Sequence, residues 1–215
     1  MWNRFCMMAL LTAAVCILLG CCLVRLEQRE LSEKVIRLHI RASSDGGFDQ
    51  AVKLRVRDAL LPQLNALTAG CTDAREAEQA LQAALPALGQ TALTELHRYD
   101  PGQELAVSLK TEAAPTREYD TFLLPAGSYR ALRFTLGAGE GHNWWCVAFP
   151  ALCLPATAED FDEAAQAAGF DGQQRELMRG ESENVRLKLR ILEWLEALFS
   201  PTSGSSSQNA GRSAR

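Results

Sequence analysis

Arg4 and Arg25 bracket twenty consecutive uncharged residues, numbers 5–24. As a helix, a run of that length extends about 30 Å, the thickness of a bilayer's hydrocarbon core. The chain therefore divides into an apolar N-terminal segment headed by a basic residue, the pattern of an export signal or membrane anchor, and a remainder that must fold by itself. A buried core helix is the alternative, and the arginine ahead of the run argues against it. Signal peptidase favours small side chains at alternate positions after the apolar run; Ala13 and Ala14 come too early, and Cys21-Cys22-Leu23-Val24 supplies none. Leu18-Leu19-Gly20-Cys21 resembles a lipoprotein signal, in which the cysteine becomes the lipidated first residue, although the second leucine departs from that pattern. Cleavage, retention and lipidation at Cys21 all stay open, with retention agreeing best with the residues.

The 215 residues are 47% hydrophobic and 22% charged, enough apolar surface for a packed core and too much for wholesale disorder. Without Arg4 and Arg25 the remainder carries 20 basic against 26 acidic side chains, a formal charge of −6. Basic residues are interleaved with acids and form no stripe, so nucleic acid is excluded as a partner. Ile36, Leu38 and Ile40 alternate with Arg37, His39 and Arg41, predicting a strand with one buried and one polar face. After a turn at 42–47, Phe48, Val52, Val56, Ala59 and Leu60 recur at helical spacing, and Pro62 is expected to bend or end that helix. Asp73 and Glu76 have capping-box spacing, opening a second helix whose inward face carries Ala77, Leu81, Leu85 and Leu88.

Alternation resumes at Leu105, Val107 and Leu109, and again at Leu132, Phe134 and Leu136 after the turn Pro125-Ala126-Gly127. A third run, Asn143-Trp144-Trp145-Cys146-Val147-Ala148-Phe149, is too aromatic and β-branched for a helix and is closed by Pro150. These strands suit a meander. A short helix over 158–168 stops at Gly169, and a last one over 185–199 turns Leu189, Leu192, Leu195 and Phe199 inward. The fold predicted is α+β: an antiparallel or mixed sheet of about four to five strands with helices packed on it, in the order β-α-α-β-β-β-α-α. Residues 1–25 form the signal or anchor, 33–199 the exported domain, and 200–215 a Ser-rich tail with the composition of a flexible coil.

Few residues carry chemistry. Of seven cysteines, four lie in the apolar segment and only Cys71, Cys146 and Cys153 outside it; no pair has C-x-x-C spacing, and His39, His97 and His142 are scattered. No metal or cofactor site is predicted. Cys146 with His142 or His39, and Asn143 to orient, would make a thiol hydrolase, but a strand is a poor place to activate a thiol, and no catalytic residue is assigned. Gly137-Ala138-Gly139-Glu140-Gly141 joins two strands, so no helix dipole awaits a phosphate and a mobile hairpin loop is expected. Adjacent strand residues face opposite ways, so one of Trp144 and Trp145 should enter the core and the other lie on the surface; Asn143, Trp144 and Trp145 are the candidate partner contacts. The alternative is that a helix of the same domain covers both indoles. A disulfide between Cys146 and Cys153 suits an oxidising compartment and requires a bend at Phe149-Pro150-Ala151, because residues seven apart on a straight strand lie too far from each other; buried free thiols are the alternative.

Several stretches resemble stage II sporulation protein R: Val35-Ile36-Arg37-Leu38-His39-Ile40-Arg41-Ala42-Ser43-Ser44-Asp45, then Asp49-Gln50-Ala51-Val52-Lys53-Leu54-Arg55-Val56-Arg57-Asp58, then Leu124-Pro125-Ala126-Gly127-Ser128-Tyr129-Arg130-Ala131-Leu132. The most specific is Gly139-Glu140-Gly141-His142-Asn143-Trp144-Trp145-Cys146-Val147-Ala148-Phe149-Pro150-Ala151-Leu152-Cys153. The resemblance spans residues 33–199. It implies a non-enzymatic signalling protein of endospore formers, made in the forespore and exported into the space between the two membranes. There it would activate a membrane-embedded protease, stage II sporulation protein GA, which removes the pro-sequence of sigma factor E in the mother cell. It implies the protease as partner; the membrane, met through residues 5–24, and the lack of a cofactor come from the residues themselves. An exported Cys-dependent hydrolase and a wall-binding lipoprotein are the competing readings.

Overall fold

The computed structural model describes residues 2–119, 121–150, 152, 158–180 and 183–199. Within its helices, the side chains of 2–5, 9, 13, 14, 17, 158–160, 183, 184 and 194–199 lie outside the description. The elements are α1 (Trp2–Glu33), β1 (Ile36–Arg41), α2 (Gly47–Thr68), α3 (Ala74–His97), β2 (Leu105–Ala114), β3 (Arg117–Glu118), β4 (Leu123–Leu124), β5 (Gly127–Leu136), β6 (Asn143–Phe149), α4 (Ala158–Ala167), α5 (Gly172–Arg179) and α6 (Glu183–Phe199). The class is α+β, in roughly the order that the sequence predicts; the pair β3–β4 and helix α5 are additions. The chain forms two compact units.

One unit comprises Ser32–Glu112 and Ser128–Asp171. Its four-stranded sheet has the order β2-β5-β1-β6, with β1 parallel to β5 and antiparallel to β6. The expected meander is thereby corrected: β1 lies between β5 and β6, so the glycine-rich segment crosses over a strand instead of turning a hairpin. Local alternation identifies strands but carries no information about which strand intervenes. Ile36, Leu38 and Ile40 of β1 share a core with Leu132, Phe134 and Leu136 of β5, with Val56, Leu60 and Leu64 of α2, and with Leu81 and Leu88 of α3. Burying each such apolar side chain contributes about 1.5–3 kcal/mol.

Helix α3 begins as its sequence dictates. The Asp73 carboxylate accepts from the N–H groups of Arg75 and Glu76, while Glu76 reaches back to the N–H and hydroxyl of Thr72. Helix α2 departs from expectation at two places. It continues six residues past Pro62, to Thr68. A proline removes one N–H and crowds the carbonyl four residues earlier; Pro62 is exposed, so the loss falls on the solvent side while Leu60, Leu64 and Thr68 stay buried opposite. Phe48, expected inward, is 58% exposed, because the inward face begins at Val52. The second face of β1 is also not the solvent face that alternation suggests: Arg37 and His39 are fully buried.

The other unit comprises the described parts of Met1–Leu31, Ala113–Gly127 and Gly172–Arg215. Strands β3 and β4 pair antiparallel around a turn where the rings of Tyr119 and Phe122 stack at 4.5 Å. The lower end of α1 is part of this unit: Gln28 and Leu31 are buried, the Gln28 amide packs over Gly127, and Lys188 of α6 bonds Glu27 at 2.6 Å. Further toward the N-terminus, Met7, Leu10, Leu11, Leu18, Leu19 and Leu23 are each 60% or more exposed, an apolar surface that no described residue covers. Among the described residues no helix is long and apolar enough to cross a membrane. The inward placement of Leu195 and Phe199, the Ala151 end of the bend expected at Phe149-Pro150-Ala151 and the tail at 200–215 all lie outside the described residues.

Candidate partner-contact site

The β1–α2 loop and the segment that leads into β6 form one corner of the sheet-bearing unit. Backbone bonds stitch them together: the N–H of Glu140 donates to Ser43 O and that of Gly141 to Ala42 O, both at 3.0 Å. The N–H of Gly137 donates to Glu104 O at 2.8 Å, and that of Ala138 to the Ser43 hydroxyl at 3.3 Å. The expected mobile loop is therefore a strapped one. Glycine is required in it: Gly139 has φ +64°, and a Cβ on Gly141 would overlap the Ser44 carbonyl.

His142 is the residue through which the chain enters β6, and both of its backbone polar groups are taken by side chains. Its N–H donates to Asp45 Oδ1 at 2.6 Å, and its carbonyl accepts from Lys53 Nζ at 3.1 Å. The imidazole Nδ1 also meets the Asp45 carboxylate. The bond from the His142 N–H holds the Asp45 carboxyl below the usual carboxylate range. Burial pushes the Lys53 amine below the usual lysine range, since the charged form is the costlier one to desolvate.

Asn143, Trp144 and Trp145 follow directly, and all three are half-buried. The register pairs Trp144 with Ile40 and Trp145 with His39, so the two indoles lie on opposite faces, as alternation requires. The expectation of one core and one surface indole is corrected in degree, because both faces are lined. Trp144 packs on the aliphatic core with the Arg57 guanidinium 5.3 Å from its ring centroid. Trp145 lies 3.8 Å from the His39 ring, tilted by 59°, with Arg37 at 5.8 Å. Arg37 itself sits 4.3 Å over Tyr129, a cation–π contact that suits a buried guanidinium. Sequence reasoning missed Asp45, Lys53, Arg57, Arg37 and His39 as parts of this site.

Cys146, next on β6, is buried and disulfide-bonded. Cys6, Cys16, Cys21, Cys22 and Cys71 are free, and Cys153, the expected partner, lies outside the described residues. A Cys146 so bonded offers no thiol to the hydrolase reading. The Cys71 thiol is pushed up by burial, which makes it a poor nucleophile at neutral pH. No metal-holding group of histidine, cysteine and carboxylate occurs among the described residues. Two open surface depressions, one on α3 beside Arg75 and Glu78 and one between α2 and α3 beside Gln90 and Thr91, share no residue with the corner.

Fold and site together define an α+β protein whose distinctive feature is an aromatic corner braced by hydrogen bonds at the entry to a strand. The sequence profile of the family described as stage II sporulation protein R (spore_II_R) matches residues 32–159, so the chain belongs to that family. A curated relative, Stage II sporulation protein R of Bacillus subtilis (strain 168), is 29% identical over 187 residues, covering 79% of this chain and 84% of the relative. No solved structure matches. The family is one of sporulation proteins and is not known as one of enzymes.

Proposed function

We propose that this protein is an exported sporulation signal, made in the forespore and delivered to the intermembrane space. There it activates the membrane-embedded protease, stage II sporulation protein GA, that processes the precursor of sigma factor E. Contact is made through Asn143, Trp144 and Trp145. The observation that carries the reading is the corner itself: two half-buried indoles and an amide at the start of β6, directly behind a strapped loop, in a family not known for catalysis. Tryptophan anchors held rigid are what a recognition surface uses, because little ordering entropy is left to lose on binding. The exposed apolar stretch of α1 supports membrane insertion through residues 5–24, with retention ahead of lipidation at Cys21. The Cys146–Cys153 pairing and a dispensable tail at 200–215 belong to the same proposal.

Co-expression with the protease and the sigma precursor in a host that lacks all three tests it. Precursor cleavage is expected with the full chain and not without it. Removal of residues 1–25 abolishes the signal if delivery needs the segment, and removal of 201–215 leaves cleavage intact. A host in which the precursor is cleaved equally well without this protein would contradict the proposal.

A further inference from the structure

Lys53 is an unexpected residue for its place. It sits on α2 within the core-facing half of the helix, 6% exposed, where a methionine or leucine would fill the same space without desolvating an ammonium. A buried charge of this kind is poor evidence of stabilisation, since apolar residues of similar volume often serve stability as well or better. The ammonium does, however, hold the carbonyl of His142, one residue before Asn143 and 89 positions away in sequence. Across the same residue the Asp45 carboxylate holds the N–H. The peptide units on both sides of His142 are thus fixed from outside their own strand, and the direction in which Asn143 and Trp144 leave the loop is fixed with them. One turn beyond Lys53, Arg57 lies over Trp144, so the same helix that orients the backbone also covers one indole. The charged groups around the clamp are Asp45, Lys53, Arg57 and Arg41, whose Nε donates to the Gly141 carbonyl at 3.2 Å, with Asp49 bonded to the Ser44 hydroxyl in the adjoining loop; Lys53 Nζ also donates to Gln50 Oε1 at 2.5 Å, one turn back on its own helix.

We infer that Lys53 and Asp45 are positioning residues that clamp His142 from both sides and pre-organise Asn143, Trp144 and Trp145 for the partner. The inference rests on the contact proposed above and deepens it: signalling strength depends on side chains that need not touch the partner. Loosening the clamp leaves every contact residue in place but returns to the binding step the entropy that the clamp has already removed.

The test uses the full chain in the co-expression host, with Lys53→Met and Asp45→Ala beside Trp145→Ala, and hydrogen exchange on each purified variant in detergent. Lys53→Met is expected to melt at or above the temperature of the unaltered protein, because an ammonium is no longer desolvated. Its amides at 142–145 should exchange about tenfold faster, with α3 and β5 unchanged, and precursor cleavage should fall by about tenfold. A purely structural lysine would instead lower the melting temperature and lose signal only in proportion to the folded fraction, which would overturn the inference. If Lys53→Met fails to fold, Asp45→Ala, altered at an exposed side chain, carries the same expectation alone. Full signal from a variant whose corner has loosened overturns the inference. If Trp145→Ala also signals fully, the contact proposal falls with it; if Trp145→Ala is silent, that proposal stands and the clamp alone is rejected.

Discussion

Asp45 illustrates how much of the corner depends on single side chains paired across long sequence distances. Its carboxylate accepts the His142 N–H, and that bond lowers the folded-state pKa beneath the ordinary 3.8. The contribution of the bond is therefore fully present above that ordinary value and is lost as pH falls through the folded value. An NMR pH series on the His142 amide should show a constant hydrogen-bonded shift at neutral pH and a transition that completes below 3.8. Asp45→Ala should lack the bonded shift at every pH, and an amide in the unaltered protein that ignores acid would contradict the assignment. Sequence alone could not place this residue: it reads as a turn former, and its partner lies 97 positions away. Lys53 was invisible for a similar reason, since a lysine among Arg55, Arg57 and Asp58 looks like part of a solvated face. The opposite facing of Trp144 and Trp145 was legible, because a strand's period fixes it. That Arg37 and His39 would be buried beneath Trp145 was not legible, since alternation separates two faces without saying whether water covers either.

At the scale of elements, β1, β5, β6 and the two central helices stand where periodicity puts them, because each carries its own apolar stripe. Their order in the sheet does not follow from that stripe, and neither does the parallel pairing of β1 with β5. Pro62 is the instructive miss. Local chemistry marks it as a breaker, but tertiary burial of Leu64 and Thr68 beyond it outweighs the lost hydrogen bond. An interior helical proline is less favourable than alanine by about 3 kcal/mol, and part of that penalty is already relieved at an exposed position. Pro62→Ala is accordingly expected to raise the unfolding free energy by about 1–3 kcal/mol. Urea unfolding of the full chain in detergent checks this; a loss of stability would mean that the proline makes a contact not seen on its exposed side.

Over the whole molecule, the sequence marks boundaries after the apolar segment and before the Ser-rich tail, and the fold draws others. The charge-free run at 5–24 separates cleanly on composition, yet α1 continues past it, and Gln28 and Leu31 are buried in the unit built with Ala113–Gly127 and the C-terminal helices. No linear signal announces that residues 113–127 and those from 172 onward come together, because such grouping depends on tertiary contacts alone. The site lies wholly in the other unit, where one strand, one helix and two loops converge on His142. The central claim is that this corner is the surface through which the protein signals. Its most direct test is precursor cleavage by the protease in the reconstituted host when full-length Asn143→Ala, Trp144→Ala or Trp145→Ala supplies the signal, each scored beside its own folded fraction. The account predicts at least one variant of normal fold whose cleavage is lost; three folded variants that all signal at the unaltered level would contradict it.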